Sequence, residues 1–151
     1  MFWERFDHYT NAHTFTTIVT SLLDNHYHML GYLKVGEELP EMMRKLHGSV
    51  AKLVNDLLPQ RRVPFWGERR DTYFDGCIRD ELQFRRAYRY VLLQGVKAGI
   101  VRRWEEYSHT RVGVELEVGL KRASELRAFL EEVPYRRYQG WCEKRKRRQG
   151  H

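Results

Sequence analysis

Two histidines, His26 and His28, stand two residues apart in a stretch that reads as a β-strand, His26-Tyr27-His28-Met29-Leu30-Gly31-Tyr32-Leu33. Strand side chains alternate between faces, so both imidazoles project to the same side. Neighbouring imidazoles can share one divalent cation, each oriented through its second nitrogen. They can equally be satisfied core or surface residues, and the pair alone does not choose between the two. Further along, Tyr90 and Gln94 are an i, i+4 pair on a predicted helix, with Arg86 and Lys97 on the same ridge. A phenol, an amide oxygen, a guanidinium and an ammonium together suit a phosphodiester site, with Arg86 and Lys97 placed to contact phosphates. The bland alternative is a solvated helix face carrying an amphipathic tyrosine.

The elements that must position these groups follow from periodicity. Phe2, Phe6, Tyr9 and His13 recur at helical spacing and predict a short opening helix. The run Thr14 to Thr20 is rich in β-branched residues and predicts a strand. Asp24-Asn25 supplies turn chemistry, so this strand and the histidine strand form an antiparallel hairpin. Pro40 suits a first helical turn, and Leu39, Met43, Leu46, Val50, Leu53 and Leu57 then trace an amphipathic stripe. Pro59 and Pro64 bracket a basic loop from Gln60 to Arg70, and Thr72-Tyr73-Phe74 is a candidate third strand. Asp80 with Gln83 resembles a capping box that opens a helix running to about Gly95. On that helix Phe84, Ala87, Tyr88, Val91 and Gly95 share the core face, which leaves Tyr90 off the apolar stripe. A last helix covers Leu116 to Leu130 and ends before Pro134. Helices on one face of an antiparallel sheet make an α+β sandwich.

A chain of 151 residues fits one compact domain, assigned to 1–135, followed by a basic tail, 136–151. Lys and Arg outnumber Asp and Glu by 27 to 20, for a net charge of +7, which favours polyanionic partners without separating DNA, RNA and acidic lipid. The tail segment Lys144 to Arg148 and the pairs Arg61-Arg62 and Arg69-Arg70 carry much of that excess. No run reaches the roughly 18 apolar residues of a membrane helix. The first residues lack the form of a signal peptide. The expectation is a cytoplasmic protein without a membrane partner, in which Cys77 and Cys142 stay reduced.

The two motifs together carry a resemblance. Leu22-Leu23-Asp24-Asn25-His26-Tyr27-His28-Met29-Leu30 resembles the HUH motif of single-tyrosine transposases, close to the Met-Pro-Asn-His-Val-His-Leu-Leu form of the REP-associated tyrosine transposases. Tyr90 to Val101 resembles that family's Tyr-Ile-His-x-Asn-Pro-Val-Arg-Ala-Gly-Leu-Val, and Phe65-Trp66 through Asp80 is similar to the segment leading into that helix. The likeness spans roughly Ile18 to Val112. It departs in having Gln94-Gly95 for Asn-Pro, and in starting almost at the first helix, where relatives first have a strand.

The resemblance implies a ferredoxin-like α+β fold of the HUH endonuclease type, lacking that first strand. It implies His26, His28 and Gln94 as ligands of Mg²⁺ or Mn²⁺ and Tyr90 as nucleophile. The implied activity is cleavage and transfer of single-stranded DNA, often beside a hairpin, through a 5′-phosphotyrosine, by a monomer or a homodimer. Arg86, Lys97, Arg69, Arg70 and Trp66 are the candidate DNA contacts, Trp66 by stacking on a base, as Tyr73 and Trp104 could also do. Two other classes stay open: a non-enzymatic nucleic-acid-binding α+β module, and a metal-dependent phosphoesterase in which water attacks.

Overall fold

The computed structural model describes residues 1–67, 73 and 75–132, with side chains to residue 125. The order is α1 (Phe2–Ala12), β1 (Thr16–Leu22), β2 (Tyr27–Tyr32), α2 (Leu39–Asn55), α3 (Glu81–Leu92), α4 (Gln94–Lys97), β3 (Thr110–Val112) and α5 (Leu116–Glu132). Single 3₁₀ turns lie at Gly36–Glu38 and Trp104–Glu106. The class is α+β, with a three-stranded antiparallel sheet in the order β2-β1-β3. Residues Met1–Val114 form one compact unit, and α5 belongs to the next. No helix among the described residues is long and apolar enough to cross a membrane.

The hairpin forms where β-branched residues and turn chemistry predict it, with Ser21 opposite His28 and Leu22 opposite Tyr27. The third strand does not. Tyr73 lies outside regular structure, and 72 and 74 lie outside the described residues. Its place is taken by Thr110–Val112, paired to β1 through Ser21 and Thr110, whose hydroxyls are 2.9 Å apart. A three-residue strand offers no alternation to read from sequence.

Helices cover both faces of the sheet rather than one. The central strand β1 shows why: Ile18, Val19, Thr20 and Ser21 are buried in succession, as a strand shielded on both sides must be. On one face α1 and α2 meet around Phe6, Leu46 and Val50, with Tyr27, Met29 and Trp66 packed against them. The alternate residues His28 and Leu30 turn to the other face, where α3 packs on β1 and β2 and buries Phe84, Tyr88 and Val91. Leu57, assigned to the apolar stripe of α2, falls beyond the helix end and is exposed. Leu46 is fully buried. Leu46→Ala is expected to cost about 2–5 kcal/mol, read as a lower midpoint with unchanged slope in urea.

Candidate active site

The site begins at the β1–β2 turn. Leu23 N donates to the His26 carbonyl at 2.8 Å, closing the chain over Asp24 and Asn25 and setting His26 immediately before β2. His26 Nδ1 lies 2.6 Å from Asn25 Oδ1. A carbonyl oxygen only accepts, so Nδ1 is the donor in this contact and Nε2 is the nitrogen outside it. The His28 ring lies 5.2 Å from that of His26, at 85°. Desolvation first, then the neighbouring His26 and Lys97, lower the His28 pKa, so this imidazole is neutral near pH 7.

Helix α3 brings the second half. Asp80 caps it by accepting from Gln83 N at 2.8 Å, while Gln83 Oε1 accepts from Arg79 N at 2.7 Å, a capping-box exchange offset by one residue. Phe84, Tyr88 and Val91 anchor the buried face, and the helical rotation leaves Tyr90 about half exposed, at 47%. Its ring stands 5.1 Å from the His28 ring, at 82°. Lys97 Nζ lies 4.0 Å from the Tyr90 ring centroid, a cation–π contact. Thus His26, His28, Tyr90 and Lys97 form one cluster on the α3 face of the sheet.

Gln94 is placed differently from its expected ridge position. Helix α3 ends at Leu92, and Leu93 (φ −90°, ψ 11°) breaks the regular turn before α4. Past that break Gln94 is turned inward and buried, and its Nε2 donates to the Tyr90 carbonyl at 2.8 Å. It makes no hydrogen bond to either imidazole. Gly99 (φ 70°) then ends α4 in a Schellman arrangement, with Ile100 N bonded to Gly95 O and Gly99 N to Val96 O.

Arg86 is exposed one turn before Tyr90. Trp66 is on the opposite face of the sheet: its ring stacks on His47 at 4.4 Å and its Nε1 donates to the His47 carbonyl at 2.8 Å. That placement gives Trp66 a packing role and keeps it apart from Tyr90. Arg69, Arg70 and the tail 136–151 lie outside the described residues.

Sequence reasoning missed Asn25 as the partner of His26, although its place directly before the histidine was a signal. It also missed Tyr107. This residue is buried, and its hydroxyl donates to the Leu22 carbonyl at 2.6 Å. Burial, then the Asp24 carboxylate, raise its pKa, so the phenol remains a donor. Its distance in sequence from both motifs left nothing local to read.

No family model, curated protein or solved structure matches this chain. The chemistry of the site therefore rests on the geometry. Among the described residues no three His, Cys, Asp or Glu side chains group to hold a metal. A cation here would rest on His26 and His28 with a neutral third donor. Two adjacent imidazoles, one of them oriented by Asn25, fit such an ion. The amide oxygen of Gln94 is the atom not used in the bond to Tyr90.

Proposed function

We propose that the chain is a metal-dependent, single-tyrosine nuclease and strand transferase acting on single-stranded DNA. The observation that carries this reading is the 5.1 Å approach of the Tyr90 ring to His28, which unites two motifs far apart in sequence. Their resemblance to the two ordered motifs of the REP-associated tyrosine transposases supports the same reading. His26 and His28, with Gln94 as third donor, would hold Mg²⁺ or Mn²⁺. Mn²⁺ is favoured, because Mg²⁺ prefers oxygen donors and gives up its waters reluctantly. When bound, the cation polarises the scissile phosphate and stabilises charge in the transition state.

Tyr90 Oη attacks phosphorus while the bond to the 3′ oxygen breaks. The phenol loses its proton, the departing oxygen gains one, and a 5′-phosphotyrosine remains beside a free 3′-OH. One phosphoester replaces another, which preserves the bond for rejoining. Arg86 and Lys97 contact flanking phosphates. Lys97 also steadies the Tyr90 ring by its cation–π contact.

The test is incubation with single-stranded and hairpin oligonucleotides in Mn²⁺, Mg²⁺ or EDTA, followed by a denaturing gel. A slow-migrating protein–DNA adduct is expected with metal and none with EDTA. Cleavage without any adduct would assign the attack to water. Retention of DNA without cleavage would leave a binding module.

A further inference from the structure

We infer that Tyr107 is a positioning residue that holds Tyr90 against the imidazole pair by bolting the tyrosine helix to the histidine turn. The inference rests on the proposed role of Tyr90, but its geometry is independent of the chemistry.

Two contacts define the bolt. At one end the Tyr107 hydroxyl donates to the Leu22 carbonyl at 2.6 Å, at the end of β1. Leu22 pairs with Tyr27, between the two histidines, and the adjoining Leu23 N closes the turn onto His26. At the other end the Tyr107 ring lies flush against Gly95. A Cβ at that position would meet Tyr107 Cγ at 2.6 Å and Cδ1 at 2.7 Å. Gly95 follows Gln94, whose amide is bonded to the Tyr90 carbonyl at 2.8 Å. One buried side chain therefore touches the end of β1, which leads into the histidine turn, and α4, which follows the tyrosine helix. Its own backbone is fixed on both sides, by Tyr107 N donating to Trp104 O at 3.0 Å and Thr110 N donating to Tyr107 O at 3.0 Å. The latter bond leads directly into β3.

The arrangement also accounts for glycine at position 95. The ring can approach the α4 backbone only where no side chain intervenes. A displacement of about 1 Å between reacting groups can cost on the order of 100-fold in rate, so a bolt between the two halves bears on catalysis without touching DNA.

The experiment compares wild type, Tyr107→Phe and Gly95→Ala. Tyr107→Phe keeps the ring and removes the hydroxyl bond; Gly95→Ala keeps Tyr107 and pushes its ring off the helix. Three quantities are read: the nuclear Overhauser contact between the Tyr90 and His28 rings, single-stranded DNA affinity, and the rate of adduct formation. Both variants are expected to stay folded, bind DNA as wild type, lose or weaken the Tyr90–His28 contact, and form adduct about 10–100-fold more slowly. If both keep the contact at wild-type intensity, the inference is overturned. A wild type that shows the ring contact but never forms an adduct removes the nuclease reading alone, and the ring contact in the variants then decides the role of Tyr107.

Discussion

Replacing Tyr90 with phenylalanine is expected to abolish the protein–DNA adduct, with a fall in cleavage of at least about 10⁴-fold, while the fold and DNA affinity survive. The magnitude follows from the nature of the group removed. Loss of a nucleophile deletes the covalent route altogether, and what remains is the far slower attack of water on a positioned phosphate. Survival of the fold follows from exposure: the Tyr90 ring is about half open to solvent, and among the described residues its hydroxyl ties no other element. Tyr88 is the control, because it is the chemically identical side chain two residues away. Tyr88 is buried, and its hydroxyl donates to the Val114 carbonyl at 3.3 Å. Tyr88→Phe is expected to cost about 1 kcal/mol in urea denaturation and to leave adduct formation intact. An adduct formed by Tyr90→Phe and lost in Tyr88→Phe would transfer the nucleophile to the wrong tyrosine and sink the assignment. Undiminished cleavage in both variants would place the chemistry on neither.

The distinction between Tyr88 and Tyr90 was legible in the sequence because it depends only on helical rotation within one regular element. Phe84, Tyr88 and Val91 repeat at helical spacing, and they are the buried residues of α3. The histidine pair was legible from strand alternation, and His26 and His28 do lie side by side, although His26 stands one residue before β2. Gln94 was misplaced because the helical rule was carried past the point where the helix ends. Helix α3 stops at Leu92, and just beyond it Gly95 packs on Tyr107, a contact between residues twelve positions apart that no window on α3 contains. The third strand was missed for a similar reason. Thr110–Val112 becomes a strand because Ser21 and Val19 offer it an edge, whereas its own three residues have no preference strong enough to announce one. Trp66, read as a surface for bases, is instead part of the wall under the sheet. An indole is amphipathic, and its sequence neighbourhood gives no sign that His47 lies within stacking distance.

The same His47 makes stability depend on pH on the acid side of neutrality. It is 5% exposed, wedged between Trp66 and Tyr27, with its Nε2 2.9 Å from the Tyr27 hydroxyl. Burial pushes its pKa from 6.5 down to about 4. In the unfolded chain the imidazole takes up a proton near pH 6.5, but in the folded chain only near 4. Below pH 6.5 the unfolded state therefore binds more protons, and stability falls. The contribution is complete above 6.5, declines as pH drops toward 4, and is exhausted below it. A gap of that size corresponds to on the order of 3 kcal/mol, a substantial part of the roughly 5–15 kcal/mol that holds a domain together. Proton uptake makes both ring nitrogens donors, so the contact with Tyr27 then requires the phenol oxygen to accept. The window separates this effect from that of the carboxylates. Glu41, held down to about 2 by its bonds to Arg44, begins to lose its contribution only as pH falls below its ordinary value of 4.5. Urea denaturation at pH 7, 5.5 and 4 is expected to show the loss in wild type. His47→Phe, which keeps a ring against Trp66, is expected to be less stable at pH 7, because the buried Tyr27 hydroxyl loses its hydrogen-bond partner Nε2, yet flatter between 6.5 and 4. An equal slope in the two proteins would assign the acid sensitivity to groups other than His47 and detach it from the packing of α2 on the sheet.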